Sequence, residues 1–229
     1  MIDFQEGFTM LVDKPFKWTS FDAVNKLRWN IKQKLGVKKI KVGHAGTLDP
    51  LATGLLVICT GKNTKLIESF TSDEKSYTGT FLLGKTTPSY DLESLFDTEF
   101  PTEHITAELI DSVRVSMIGV QQQVPPIFSA KQVDGQRAYD LARAGKTVEL
   151  KPNTVEIIDF KITENRFPEV DFFIKCSKGT YIRSIARDFG LALGSGATMI
   201  ALRRTASGNF KIEDSKTVDE WLEIIKADF

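Results

Sequence analysis

The sequence predicts an α+β fold: a mixed, largely antiparallel sheet flanked by helices. Three observations predict it. Apolar segments of strand length alternate irregularly with amphipathic segments of helical period, several strand segments lie close enough in sequence to pair as hairpins, and the regular strand–helix–strand cadence of a doubly wound sheet is missing from the 229 residues. A content of 41% hydrophobic and 26% charged residues suits a chain that buries a sizeable core. No composition break or low-complexity tract marks a linker, so residues 1–229 are expected to form a single domain.

The elements follow in order. "FTMLVDKP" (Phe8 to Pro15) is a short apolar run ended by a proline, which cannot continue a ladder, and reads as a strand entering a turn. The next segment is helical. Thr19 or Ser20 can cap it, Asp22 suits its first turn, Val24, Leu27, Ile31 and Leu35 recur at helical spacing, and Gly36 can stop it. "GLLVIC" is a buried strand or helix segment, and "SYTGTFLLG" (Ser76 to Gly84) reads as a strand from its β-branched and aromatic content. A helix is predicted after Thr106, ending at Gly119. The Pro-Pro and Asp-Gly signals after it, with a short helix over "QRAYDLARAG", mark an excursion from the core at about residues 121–150. "TVEIIDFKIT" and "EVDFFIKCS" alternate like adjacent strands; "YIRSIARDFGLALG" is helical, "MIALRRTASGNF" is extended, and an amphipathic helix closes the chain at about 215–229.

Formal net charge is zero, but the charges are segregated. Between Ala23 and Leu48 stand seven basic residues (Lys26, Arg28, Lys32, Lys34, Lys38, Lys39, Lys41) and no acidic one; between Asp91 and Val113 stand seven acidic residues and no Lys or Arg. Either run fits a solvated helix face, and the basic one gains meaning if it flanks a site. Cys59 and Cys176 make neither a disulfide framework nor a zinc spacing, which suits a reducing, cytoplasmic setting. The first residues contain no apolar stretch long enough for a signal peptide or membrane span.

Most catalytic classes lack their residues. "CTGKNTKL" is not a phosphate loop, because Leu56 stands where the motif needs glycine and Asn63 where it needs Ser or Thr. His44 and His104 have no partner spacing for a metal, and no G-x-S-x-G elbow accompanies either. No metal and no cofactor is therefore expected. What remains is Asp49, in "KVGHAGTLDPLATGLLVICTGK". Aspartate before proline is ordinarily a turn residue. Here Gly43, Gly46 and Gly54 permit close approach of backbone to a ligand, and His44, Thr47 and Thr53 supply hydrogen-bonding groups around one carboxylate, which can serve as a nucleophile if kept ionised and aimed. Arg183, at the start of the helix after "GTY", is a candidate to pair with it; a surface ion pair is the alternative.

"GHAGTLDPLATGLLVICTGKNTK" resembles the active-site motif of the TruB-type tRNA pseudouridine-55 synthases. The resemblance runs nearly end to end, in the family's order. It includes "LVDKPFKWTSFDAV", "KSYTGTFLLGKTTPSYDLES", "QQQVPPIFSAKQVDGQRAYDLARAG", "CSKGTYIRSIARDFGLALGSGA" and "LRRTASGNF". It implies an enzyme that isomerises one uridine in the T-loop of tRNA, by detaching the base, rotating it and reattaching it through carbon. Asp49 would be the nucleophile, Tyr77 the tyrosine that stacks on the target base and is placed to take a proton, and Arg183 the arginine paired with the aspartate. Leu202 matches a wall of the uracil pocket, His44 a histidine that contacts the T-loop, and Tyr181 a pocket residue. Lys14 and Pro15 match residues supporting the active-site loop, and Lys131 lies in the excursion that the family uses as a thumb.

The implied partner is the T-arm of tRNA, with no membrane and no obligatory protein partner. A uridine stacked in a folded loop must be extruded, and basic side chains must grip the phosphates. The basic run leads directly into the Asp49 loop. Many bacterial members carry a C-terminal RNA-binding module, and none is expected in the stretch after "TASGNF". Two alternatives share the scaffold: a non-catalytic RNA-binding or tRNA-folding protein, and a synthase for another RNA.

Overall fold

The computed structural model describes residues 2–128, 132–133, 136–137 and 150–227. The chain divides into two units, Met1–Tyr77 with Leu202–Phe229, and Thr78–Ala201. It passes between them within two strands, β4 (Lys75–Leu83) and β12 (Ala197–Ser207).

In the first unit, β1 (Thr9–Lys14) alternates as predicted, with Met10, Val12 and Lys14 on its buried parity. Helix α1 (Ser20–Leu35) starts where its sequence says it should. The Thr19 hydroxyl accepts from the Asp22 amide at 3.0 Å and the Asp22 carboxylate accepts from the Thr19 amide at 2.8 Å, a reciprocal capping box. Gly36 ends the helix at φ 63°, left-handed geometry that glycine adopts without strain. Strands β2 (Val42–His44) and β3 (Thr53–Thr60) follow, then a 3-10 turn and the short helix α2 (Ile67–Ser72).

"GLLVIC" is a strand, and its unbroken apolar run has a physical cause: β3 is covered on both faces. Leu56 and Ile58 pack with Met10, Val12, Leu27, Ile31 and the C-terminal helix, whereas Leu55 and Val57 pack with Ala45 on the other side. Strand order in this unit is β14-β1-β3-β12, where β14 is Lys216–Thr217; β2 adds to β3, and β13 (Phe210–Lys211) to β12. β1 and β3 are antiparallel, whereas β3 and β12 are parallel, with Thr53 opposite Arg203 and Gly54 opposite Arg204. The last helix, α5 (Val218–Ala227), begins later than the sequence suggested because Lys216 and Thr217 pair with β1. Helices α3 (Ala107–Ser116) and α4 (Ile182–Ala192) belong to the second unit.

In that unit the sheet order is β12-β4-β11-β10-β7, with β10 (Asn153–Arg166) and β11 (Glu169–Cys176) forming the expected antiparallel pair. Phe81, Phe160, Phe172 and Phe189 interlock in its core, Phe81 stacked on Phe172 at 4.2 Å between centroids. α3 stops before the predicted Gly119. "GVQQQ" (Gly119–Gln123), which carries little strand propensity, is β7, held at the edge by pairing with Asn153–Ile157. Two-residue strands β5 (Lys85–Thr86) and β6 (Thr98–Glu99) pair with each other, as do β8 (Gln132–Val133) and β9 (Gln136–Arg137). The first two residues of the predicted "QRAYDLARAG" helix are thus in a strand pair, and the rest of that helix, with Lys131, lies outside the described residues.

The predicted fold class is the one observed: a mixed sheet, antiparallel in most pairings, with helices packed against it.

Candidate active site

Within the first unit, the loop between β2 and β3 that carries Asp49 is fastened from three directions by buried polar side chains. From β1 comes Lys14, fully buried on the parity of Met10 and Val12. Its ammonium donates to the carbonyls of Pro15 at 3.0 Å, Trp18 at 2.5 Å and Pro50 at 3.5 Å, tying the Asp-Lys-Pro turn to the residue after Asp49. The Lys17 amide also donates to the Pro50 carbonyl, at 2.9 Å. From the start of α1, the Ser20 hydroxyl donates to the Leu48 carbonyl at 3.2 Å and accepts from the Leu48 amide at 2.8 Å. From β12, the buried Arg204 guanidinium donates through Nε to the Leu55 carbonyl at 2.7 Å and through Nη2 to the Gly46 carbonyl at 3.1 Å. The Ala52 amide closes the turn on the Asp49 carbonyl oxygen at 3.1 Å. Leu48, Gly46 and Leu55 are thereby fixed on both sides of a half-buried Asp49.

Two of the three glycines, Gly54 and Gly43, answer a packing demand. A Cβ on Gly54, at φ 103°, would stand 2.3 Å from the Arg204 carbonyl oxygen, so this glycine lets β3 and β12 meet rather than making room for a ligand. A Cβ on Gly43 would meet Ile67 at 2.8 Å, again a packing demand.

Burial is the main cause that lowers the Lys14 pKa to about 8; the Asp49 carboxylate pulls it back up and Arg204 pushes it down again. Lys14 therefore stays mostly protonated at neutral pH and keeps its carbonyl partners. The linkage has a definite sign. With the folded-state pKa below the ordinary lysine value of 10.5, the unfolded chain holds the extra proton between about pH 8 and 10.5, so this group's contribution to stability rises with pH in that window. Urea unfolding at pH 7.5 and pH 9.5 should show wild type gaining stability relative to Lys14→Met as pH rises; a constant or falling difference contradicts this.

His44 lies on β2, opposite Ile58 of β3. Burial, reinforced by the Arg204 charge, lowers its pKa, so its imidazole is neutral at pH 7. A backbone hydrogen bond with Gly46 opposes that lowering in part. Tyr77, on β4, and Leu202, on β12, are both buried side chains of this unit. Arg203 points to the opposite face of β12 from Leu202 and Arg204, and grips the Asp13 carboxylate with two bonds, at 3.0 and 2.6 Å.

The second unit holds Tyr181 and Arg183. Tyr181 is the N-cap of α4, and its backbone is held by Gln123 of β7: the amide donates to Oε1 at 2.8 Å and the carbonyl accepts from Nε2 at 3.2 Å. Arg183 is buried, with Nε 3.5 Å from the Asp91 carboxylate and Nη1 donating to the Ser89 carbonyl at 3.4 Å. Asp91 is itself fixed, accepting from the Ser89 hydroxyl at 2.6 Å and the Glu93 amide at 3.0 Å.

Sequence reasoning passed over Ser20, Arg204 and Asp91. Arg204 carried a usable signal: it shares strand parity with Leu202 and would otherwise be an uncompensated charge on a buried face. Ser20 and Asp91 carried none, since both stand among ordinary cap and turn residues.

Solved structures of similar fold include chains of protein and RNA–protein complexes. A chain of a Cbf5–Nop10–Gar1 complex superposes with a TM-score of 0.73 at 28% identity, over 98% of this chain and 57% of that one. A structure of an H/ACA RNP bound to a substrate RNA containing 2′-deoxyuridine gives 0.70 at 27%, over 98% and 56%. The chain therefore spans little more than half the length of those structural relatives. Residues 32–182 match the N-terminal domain of the TruB family of pseudouridylate synthases, and residues 183–227 the C-terminal domain of tRNA pseudouridylate synthase B. Curated relatives are alike over nearly their whole length. The tRNA pseudouridine synthase B of Phocaeicola vulgatus is 55% identical over 97% of this chain and 96% of its own, and that of Flavobacterium johnsoniae is 52% identical over 93% of each. The chain belongs to the TruB family of pseudouridine synthases. Among the described residues, no helix is long and apolar enough to cross a membrane, and no group of His, Cys, Asp and Glu could hold a metal ion.

Proposed function

We propose that the chain isomerises uridine 55 in the T-loop of tRNA to pseudouridine in the cytoplasm, acting as one catalytic domain. Asp49 is the nucleophile, Tyr77 stacks on the extruded base and is placed to take its proton, and Arg183 pairs with Asp49. Leu202 and Tyr181 line the uracil pocket, His44 contacts the T-loop, Lys14 supports the Asp49 loop, and Lys131 reaches RNA from the thumb. The glycosidic N1 bond breaks, the base turns, the same sugar carbon bonds to C5, and the C5 proton leaves while N1 gains one. Nothing is oxidised and no group is lost, so the step needs no cofactor.

One observation carries this reading: in a chain of this family, Asp49 sits in a loop fixed by Lys14, Ser20 and Arg204. Preorganisation of that kind is what a nucleophile needs and a mere turn does not. Arg183, buried and braced by Asp91, presents a positive charge whose position is set before substrate arrives. The assay is tritium release from a T-arm transcript labelled at C5 of uridine. Release by wild type is expected, and binding without release would leave the non-catalytic alternative.

The lysines from Lys26 to Lys41 grip phosphates in this reading. RNA affinity should fall as salt rises, and neutralising Lys38, Lys39 and Lys41 together should reduce the slope of log affinity against log salt by roughly 2 to 3. An unchanged slope would return them to solvent.

A further inference from the structure

The face of α1 turned away from the core carries more than charge. Ala23, Val24, Leu27 and Ile31 are buried against the sheet, and on the other side Phe21 and Trp29 are each 59% exposed. At 100° per residue, Trp29 stands opposite the buried stripe, while Phe21, Arg28 and Lys32 share one line along its flank. The exposed large aromatic side chains among the described residues of this unit are Phe16, Phe21 and Trp29, all within the fourteen positions that lead from the Asp-Lys-Pro turn along α1.

Two further facts give this surface a direction and a sign. Its near end is joined to the Asp49 loop, since Ser20, the first residue of α1, exchanges two hydrogen bonds with Leu48. Its acidic residue, Asp22, is committed to Thr19 in the capping box, and from Ala23 to Leu48 every charged side chain is basic. Arg28 is already arranged beside an aromatic: its guanidinium is 5.8 Å from the Phe21 ring centroid and donates to the Asn25 side chain. Aromatic rings left in water beside cations, along a helix whose one acidic residue is committed to its cap, suit a polyanion that also offers flat π-faces.

We propose that the outer face of α1 is a docking platform for the RNA that flanks the reacting uridine, with Phe21 and Trp29 stacking on nucleobases and Arg28 and Lys32 meeting phosphates. The platform rests on the reading of the chain as a T-arm synthase and adds a contact surface to it. Phosphate contacts alone position an RNA without regard to which bases are unstacked. A stacking platform continuous with the catalytic loop would favour RNA whose bases near the target are already splayed from the helix, as in a loop rather than a stem.

The test uses the full chain and a T-arm stem-loop transcript. Phe21→Ala and Trp29→Ala should each weaken binding about fivefold or more. The salt slope should not move, because stacking releases no counterions, whereas Arg28→Gln and Lys32→Gln should each lower it by about 1. The loss should appear in Kd and KM, with the single-turnover rate at saturating RNA within about twofold of wild type. RNA should quench tryptophan emission, and Trp29→Phe, which keeps a ring for stacking, should remove that quench with affinity near wild type. Leu95→Ala, 90% exposed in the acidic segment of the other unit, is the control and should change nothing. The platform is overturned if the double alanine variant binds as wild type does, if Trp29 emission is indifferent to RNA, or if the variants abolish self-association and leave RNA affinity intact. Wild-type isomerisation with an unaffected double variant rejects the platform alone; a wild type that neither binds nor converts the T-arm rejects the synthase reading.

Discussion

Replacing Asp49 by Asn should abolish tritium release while leaving T-arm binding within a fewfold of wild type. The substitution is nearly isosteric, keeps a short polar side chain before Pro50, and leaves the Lys14, Ser20 and Arg204 bonds to the loop backbone in place. If Asp49 were only a turn residue, Asn would serve as well and activity would survive. If it is the nucleophile, an amide cannot replace an ionised carboxylate, and the rate should fall on the order of 10⁴-fold or more, the scale on which removing a nucleophile acts. Stability separates the two readings further. An inactive variant with unchanged urea midpoint places the loss in chemistry, whereas an inactive and unfolded one does not.

Arg204→Met is expected to be the most damaging change outside the reacting groups, and in the opposite manner. Methionine keeps much of the buried volume but leaves the carbonyls of Gly46 and Leu55 without donors. An orphaned buried acceptor costs about 1–3 kcal/mol; the Leu55 carbonyl meets that condition and the Gly46 carbonyl, only partly buried, meets it in part, so a loss of roughly 2–4 kcal/mol is expected, a large part of a domain's stability. Arg204→Lys should recover little, because the two carbonyls are met by separate nitrogens of a rigid planar fork, Nε and Nη2, and a lysine brings one ammonium at the end of a flexible stem. Activity should fall with stability, since the Gly46 carbonyl anchors the chain just before Asp49. A thermal midpoint for Arg204→Met equal to wild type would show that the guanidinium is not what fixes the loop.

These two residues mark how far the sequence could be read. The fold class followed from periodicity: α1 was written in its cap residues, its Val24, Leu27 and Ile31 stripe and Gly36, and the β10 and β11 pair in its alternation. Such signals are local, and the structure obeys them. β7 was not legible because "GVQQQ" becomes a strand only through its partner, Asn153–Ile157. Asp49 stood out by its glycine-rich setting, yet Gly54 proved to serve the approach of Arg204, a demand created by a strand about 150 positions away. The Lys14 role came from family likeness; its mechanism, an ammonium buried at the end of a strand and shared among carbonyls of two turns, is a tertiary fact. Ser20 and Asp91 act through side-chain bonds to backbone and to a neighbouring charge, contacts that no pattern of residue types encodes.

The central claim is that this chain makes the T-loop pseudouridine of tRNA. Its most direct measurement is a map of pseudouridine across total RNA from cells lacking the gene, complemented with wild type or with Asp49→Asn. The account predicts that the signal at uridine 55 of tRNA disappears, returns with wild type and stays absent with the variant. A T-loop signal that persists without the gene, or a loss confined to some other RNA, would contradict it.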